Sequence, residues 1–140
     1  MEKQKIINAM IKLIHEIAKE KDLEITDLGL GHGNDGTFWE KLPDTSGIPT
    51  IEAKNDKYSI ELRPFWSSPE IDIRRETDYG EELLVITYSD MIKNNETGEY
   101  EHTGNFQLDQ VRVDGTHGNY QKCIAYVYWI AYEIEKEAML

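Results

Sequence analysis

Residues 50–63 have the sequence TIEAKNDKYSIELR, and this stretch decides the fold class. Apolar and polar side chains alternate on both sides of residues 55–57, a period of two that is typical of strands with one face in water. Asn55-Asp56-Lys57 is a turn signal, because Asn and Asp side chains bond readily to the backbone two residues further on. The stretch therefore predicts an antiparallel hairpin with one buried and one wet face.

Helices and further strands are expected on either side of this hairpin. Apolar residues at helical spacing predict an amphipathic helix over residues 3–21 and a second helix from Asn119 to about Ala138. Alternating or β-branched runs predict the remaining strands, which are Leu23–Leu30, a strand that starts at Ile71, Leu83–Tyr88 and Tyr100–Val113. Gly104 suits a bulge in the last of these strands.

This order of elements predicts a single α+β domain over residues 1–140. We expect an N-terminal helix, an antiparallel sheet of about five strands and a C-terminal helix, with the helices packed on one face of the sheet. The chain carries a lone cysteine, Cys123, which fits a reducing compartment. The N-terminus does not resemble a signal peptide and the longest apolar run is too short to span a membrane, so we expect a cytoplasmic protein.

The C-terminal helix has apolar residues on two sides. One stripe consists of Cys123, Ile124, Val127, Ile130, Ala131 and Ile134, and a second of Tyr126, Trp129 and Tyr132. A helix that is apolar nearly all round is normally buried on more than one side, so we expect it between the sheet and the first helix. The alternative is that the second stripe contacts another protein or forms a homodimer.

The net charge of the chain is −12, and it is concentrated in one segment. Residues 70–114 contain twelve acidic and four basic side chains, a net charge of −8. Such a field repels nucleic acid and anionic membranes and attracts basic protein surfaces. Residues two apart on a strand lie roughly 6.7 Å from each other, so an acidic strand can imitate a row of phosphates.

The composition therefore favours a non-enzymatic interaction protein that binds a basic partner. The predicted partner-binding residues are Glu70, Asp72, Glu76, Asp78, Glu81, Glu82, Glu99 and Glu101. By analogy of size and charge, the most concrete interpretation is an inhibitor of a nucleic-acid-binding enzyme, comparable to phage anti-defence or anti-CRISPR proteins. A toxin immunity protein is an alternative that charge alone does not distinguish from the first.

The first alternative, ranked ahead of the immunity protein, is a small metal-dependent nuclease. Pro43-Asp44 followed by Ile51-Glu52-Ala53-Lys54 resembles the PD-(D/E)xK nuclease signature. The resemblance implies that Asp44 and Glu52 bind a divalent metal and that Lys54 positions the attacking water. The acidic field opposes a nucleic-acid substrate, and the predicted hairpin after Lys54 replaces the crossover helix of that family. We therefore expect an ordinary solvated Glu-x-Lys pair instead.

The remaining motifs favour neither a cofactor nor a metal. Residues 31–36, GHGNDG, match G-x-G-x-x-G, but no adequate helix follows, so a surface loop is expected. The four histidines (His15, His32, His102 and His117) lack the spacing of a helical zinc site, and Cys123 has no cysteine companion. His32 with Asp35, or His117 with Asp114, could still meet a metal in space.

Overall fold

The computed structural model describes residues 1–29, 50–64 and 68–140. Its elements are α1 (Lys3–Lys21), β1 (Glu24–Gly29), β2 (Thr50–Lys54), β3 (Tyr58–Arg63), β4 (Glu70–Thr77), β5 (Gly80–Lys93), β6 (Tyr100–Asp114) and α2 (Tyr120–Ala138). The predicted α+β fold is confirmed. The sheet has six strands in the described residues, slightly more than the expected five or so, and the predicted strand after α1 pairs with β2 at the edge of the sheet.

The sheet is an antiparallel meander in which the order of strands follows the chain from β1 to β6. The predicted turn between β2 and β3 is confirmed: the Asn55 side chain accepts the backbone N–H groups of Lys57 and Tyr58, each at 2.9 Å. This turn sets the register, which pairs Ala53 with Ile60. The pairing of β5 with β6 is irregular at two places, and Gly104 lies in one of them with φ +76°, as the predicted bulge requires.

Both helices cover the same face of the sheet, which we call the inner face. The cross-strand partners Ile60, Ile73 and Leu84 point to this face and are fully buried. Helix α1 contacts β1, β2, β3 and β6, helix α2 contacts β5 and β6, and the two helices contact each other. Burying each large apolar side chain on the inner face stabilises the fold by roughly 1.5–3 kcal/mol. Most of the core lies on this face.

Helix α2 is buried on one side only. Residues of the first predicted stripe, such as Val127, Ile130 and Ile134, are fully buried. On the second stripe, Trp129 is 45% exposed and Tyr132 is 61% exposed. The prediction of burial on two sides is therefore wrong, because α1 lies beside α2 and leaves the far side of α2 uncovered. Neither helix of the described residues is long and apolar enough to cross a membrane.

Candidate acidic interface on the outer face of the sheet

Three carboxylates stand side by side on the sheet face turned away from the helices, which we call the outer face. The register places Glu52 on β2 opposite Glu61 on β3, and Glu61 opposite Asp72 on β4. Side chains directly opposite each other have β-carbons roughly 4.5–5.5 Å apart. Like charges at this spacing destabilise a sheet unless neighbouring groups offset them. We call Glu52, Glu61 and Asp72 the carboxylate row.

Two cations offset part of this charge. Arg63 Nε lies 3.2 Å from Glu61 Oε1, and Arg63 Nη1 lies 3.6 Å from Asp72 Oδ2. Lys54 Nζ lies 3.5 Å from Glu52 Oε1. A fourth carboxylate, Glu70, is the cross-strand partner of Arg63. The row and Glu70 together therefore keep a net charge of about −2 when all four acids are ionised.

Asp72 is the most constrained member of the row. It is 7% exposed, and its Oδ1 atom has no hydrogen-bond partner. Burial, together with the neighbouring Glu70 carboxyl, raises the pKa of Asp72 to about 7, against the lowering effect of Arg63 and Arg74. Val85, opposite Asp72 on β5, is 5% exposed and adds an apolar neighbour. An acid is thus held in the sheet where its ionised form is poorly compensated.

Four of the eight predicted partner-binding residues lie on the outer face. Glu70, Asp72 and Glu76 alternate along β4, and Glu81 is opposite Glu76 on β5. The Arg74 guanidinium lies 3.0 Å from Glu81 Oε1, so Glu81 is partly neutralised. Glu76 and Glu81 lie on the side of Asp72 towards the turn between β4 and β5, whereas Glu70 lies on its other side, at the start of β4.

The other four residues lie elsewhere. Asp78 is exposed in the turn between β4 and β5. Glu99 and Glu101 are exposed near the turn between β5 and β6, and Glu101 pairs with Ile92. Ile92 is five residues beyond Thr87, the partner of Glu70, a distance of roughly 16 Å along the strand. Glu99 and Glu101 thus form a separate acidic group, which we call the hairpin tip.

Glu82 points to the inner face and is 4% exposed. Arg75 Nη2 lies 3.2 Å from Glu82 Oε1, and the Cys123 thiol donates to Glu82 Oε2 at 3.2 Å. The Arg75 guanidinium also lies 5.0 Å from the centre of the Tyr126 ring. This cluster joins β4 and β5 to α2, so Glu82 cannot contact a partner and does not belong to the candidate interface.

The surroundings of Cys123 also bear on catalysis. Burial and the hydrogen bond to Glu82 raise the pKa of the Cys123 thiol. A thiol acts as a nucleophile only as the thiolate, which a raised pKa disfavours. The cluster of Arg75, Glu82 and Cys123 is therefore suited to holding α2 on the sheet rather than to covalent chemistry.

The residues of the nuclease alternative are only partly described. Asp44 lies outside the described residues, as do the motif of residues 31–36 and His32. Glu52 and Lys54 pair with each other on β2, and β2 continues through a short turn into antiparallel β3. Among residues 1–29, 50–64 and 68–140, no group of three or more His, Cys, Asp or Glu side chains is arranged to hold a metal ion.

Sequence reasoning missed Glu61. Its place in the carboxylate row depends on the pairing of β2 with β3, whereas spacing along a single strand shows only residues two apart. The signal was nevertheless present, because a turn at residues 55–57 with Ala53 opposite Ile60 also brings Glu52 opposite Glu61.

Comparison with known proteins gives one partial likeness. Translation initiation factor IF-2 of Mycoplasmopsis pulmonis (strain UAB CTIP) is 30% identical over 101 residues, which are 71% of this chain and 16% of the factor. The chain thus spans about one sixth of the protein that it matches. A likeness to so small a share of the factor does not establish a family. No protein-family model matches the chain, and no solved structure matches it at a significant level.

Proposed function

We propose that this protein is a non-enzymatic binding protein whose outer sheet face takes a basic protein partner. The observation that carries the proposal is the carboxylate row with Asp72 at its end, an acid buried in the sheet with one oxygen unpartnered. Burying a carboxylate without full pairing lowers the stability of the fold, and a ligand that supplies the missing positive charge offsets this cost. Cationic side chains are the ligands that would do so.

Arginine is the cation that suits this surface best. Glu52, Glu61 and Glu70 are half-buried, so their carboxylates are held by the strands and still reachable. A guanidinium can bind two carboxylate oxygens at once, whereas an ammonium acts as a point charge. Asp72 lies beneath them and contributes its charge without direct contact. An arginine-rich surface would therefore bind more tightly than a lysine-rich surface of equal charge.

Proteins that bind nucleic acid carry such arginine-rich surfaces. We propose that the partner is one of them and that this protein inhibits it by occupying the surface meant for phosphates, as anti-defence and anti-CRISPR proteins do. The net charge of −12 would speed the encounter and would make it sensitive to salt. The encounter would take place in the cytoplasm, where the free thiol of Cys123 stays reduced.

The test uses two variants with the same change in net charge. The outer-face variant carries Glu52→Gln, Glu61→Gln and Glu70→Gln. The control carries three such changes at the exposed residues Glu96, Glu99 and Glu101 around the hairpin tip. Binding of a peptide of about nine arginines, and of a lysine peptide of equal length, is measured by fluorescence anisotropy over a salt series.

We expect the outer-face variant to bind the arginine peptide about tenfold more weakly than wild type. The control should lose less than half of the binding free energy that the outer-face variant loses. Wild-type binding should also tighten as the pH rises through 7, because a nearby cation favours the ionised form of Asp72, whose pKa is about 7. Equal losses in both variants would mean that net charge alone attracts the peptide, and the proposed interface would be wrong.

A capture experiment then addresses the partner itself. The wild-type protein and the outer-face variant are used as baits in a native lysate, and the captured proteins are compared. A nucleic-acid-binding protein retained by wild type and lost by the variant supports the inhibitor proposal. A secreted toxin captured in the same way would instead identify an immunity protein, with the same chemistry on the outer face.

A further inference from the structure

Helix α2 presents an aromatic surface that the fold leaves uncovered. Tyr128 is 54% exposed, Trp129 45% and Tyr132 61%. They lie on the side of α2 opposite the buried residues Val127 and Ile130, and Tyr132 follows Tyr128 by four residues and Trp129 by three, so its ring lies next to both. Aromatic side chains grouped in this way mark protein interfaces. We call Ala125, Tyr128, Trp129 and Tyr132 the α2 stripe.

The α2 stripe is also preorganised. Trp129 stacks on Tyr126, with ring centroids 6.0 Å apart and an interplanar angle of 22°. Tyr126 in turn shares a 2.6 Å hydrogen bond with the hydroxyl of Tyr58 on β3 and lies against Arg75. These contacts hold the indole ring without covering it, so little side-chain freedom remains to be lost when a partner binds.

Charge along α2 indicates what the stripe can bind. Residues 119–131 contain a single charged side chain, Lys122, which makes no ion pair within the described parts of the chain. Residues 132–138 contain Glu133, Glu135 and Glu137 with Lys136. Lys136 Nζ lies 3.3 Å from Glu133 Oε2, and Lys12 Nζ of α1 lies 3.0 Å from Glu137 Oε1, so these surface pairs offset only part of the negative charge. The first half of the helix is therefore positive and the second half negative. Such a helix complements a copy of itself that runs in the opposite direction.

We propose that α2 packs antiparallel against α2 of a second copy and forms a symmetric dimer. With the two-fold axis at Tyr128, Lys122 of each copy lies within about 1.5 Å of the level of Glu133 of the other copy, and both lie on the same flank of the helix. In an antiparallel helix pair, equal flanks face each other. Ala125 of each copy lies within about 1.5 Å of the level of Tyr132 of the second copy, so a small side chain leaves space for a ring.

The α2 stripe is a surface on which two copies of this acidic chain can meet. Two copies with a charge of −12 each repel one another, but the α2 stripe itself contains no acidic side chain, so the repulsion is weakest where the stripes face each other. The outer face of the sheet lies on the opposite side of the molecule from α2, so the candidate acidic interface stays free in each copy. The dimer therefore does not depend on the proposed function.

The test exchanges charges between the two ends of the helix. Lys122→Glu and Glu133→Lys are prepared as separate full-length variants, and each is studied alone and in an equimolar mixture by sedimentation velocity. Wild type should be dimeric at micromolar concentration. Each variant alone brings two pairs of like charges together, so its dimer dissociation constant should rise about tenfold or more.

The equimolar mixture restores two attractive pairs and should dimerise about as well as wild type. Tyr132→Asp should make the protein monomeric, whereas Tyr100→Asp, a matched change of a tyrosine 67% exposed on β6, should leave the dimer intact. Circular dichroism shows that each variant remains folded. A wild type that stays monomeric at high micromolar concentration would refute the proposal, and so would a mixture that dimerises no better than its components.

Discussion

Replacing Asp72 with asparagine tests the cost of the charge buried in the outer face. The pKa of Asp72 is about 7 in the folded protein, against an ordinary value of 3.8. Because the folded state binds this proton more tightly than the unfolded chain, the group lowers stability progressively as the pH rises from about 4 to about 7. Above that window Asp72 is ionised in both states and the loss is complete.

The expected gain in stability follows from the raised pKa. The rise of the Asp72 pKa from 3.8 to about 7 corresponds to at most about 4 kcal/mol, since one pKa unit is worth about 1.4 kcal/mol. Asp72 and Glu70 titrate together, so only about half of this amount belongs to Asp72 alone. We therefore expect Asp72→Asn to raise the free energy of unfolding by about 2 kcal/mol near pH 8. Near pH 5, where Asp72 is protonated and resembles asparagine, the change should be small.

Urea unfolding followed by circular dichroism at several pH values measures this difference. Asp78→Asn is the matched control, because Asp78 is exposed in a turn, and its effect should be small at every pH. Glu70→Gln should move the midpoint of the pH dependence downwards, because Glu70 contributes to the raised pKa of Asp72. If Asp72→Asn destabilises the protein near pH 8, the buried carboxylate is stabilising and the reasoning is wrong.

Three further predictions concern the inner face, α2 and catalysis. Glu82→Ala leaves the half-buried Arg75 without its ion-pair partner and should cost about 2–3 kcal/mol in urea unfolding, less than for a fully buried pair. A loss below about 1 kcal/mol would show that the ion pair contributes little. Ile130→Ala should lower the free energy of unfolding of the monomer by about 2–5 kcal/mol, and Trp129→Ala by only about 1 kcal/mol. Equal losses would contradict the one-sided burial of α2. Incubation with labelled DNA and RNA in magnesium or manganese should give no cleavage, whereas cleavage that disappears on Glu52→Ala would establish the nuclease alternative instead.

The fold could be predicted because periodicity reports which side of an element is apolar. The helical spacing of residues 3–21 located the first helix, the change to a period of two from Ile48 located the sheet, and the turn at Asn55 fixed the hairpin. The strand β5 was harder to interpret, since Leu83–Tyr88 is apolar on both faces. Alternation then does not show which of two consecutive acids points inwards, so Glu82 was grouped with surface residues although it is buried.

The candidate site could be predicted only in part, because it depends on contacts between strands. Counting along β4 brought Glu70 and Asp72 together, but the approach of Glu61 from β3 required the register. The aromatic stripe of α2 posed another difficulty. The sequence shows that Trp129 is apolar, but it does not show whether another element packs on that side of α2 and covers the side chain. Only the position of α1 beside α2 answers that question.

The order of strands has a consequence for how the chain folds during synthesis. Every strand that the structure describes pairs with its neighbour in sequence, and β2 to β6 can form by successive local pairings as the polypeptide leaves the ribosome. At that stage only α1 covers the inner face of the sheet. Apolar side chains of β5 such as Leu84 and Ile86 stay exposed to water until α2, the last of the described elements, has been synthesised. A nascent chain that stalls before residue 120 would expose the apolar inner face of the sheet, and we expect chaperones to bind to this face.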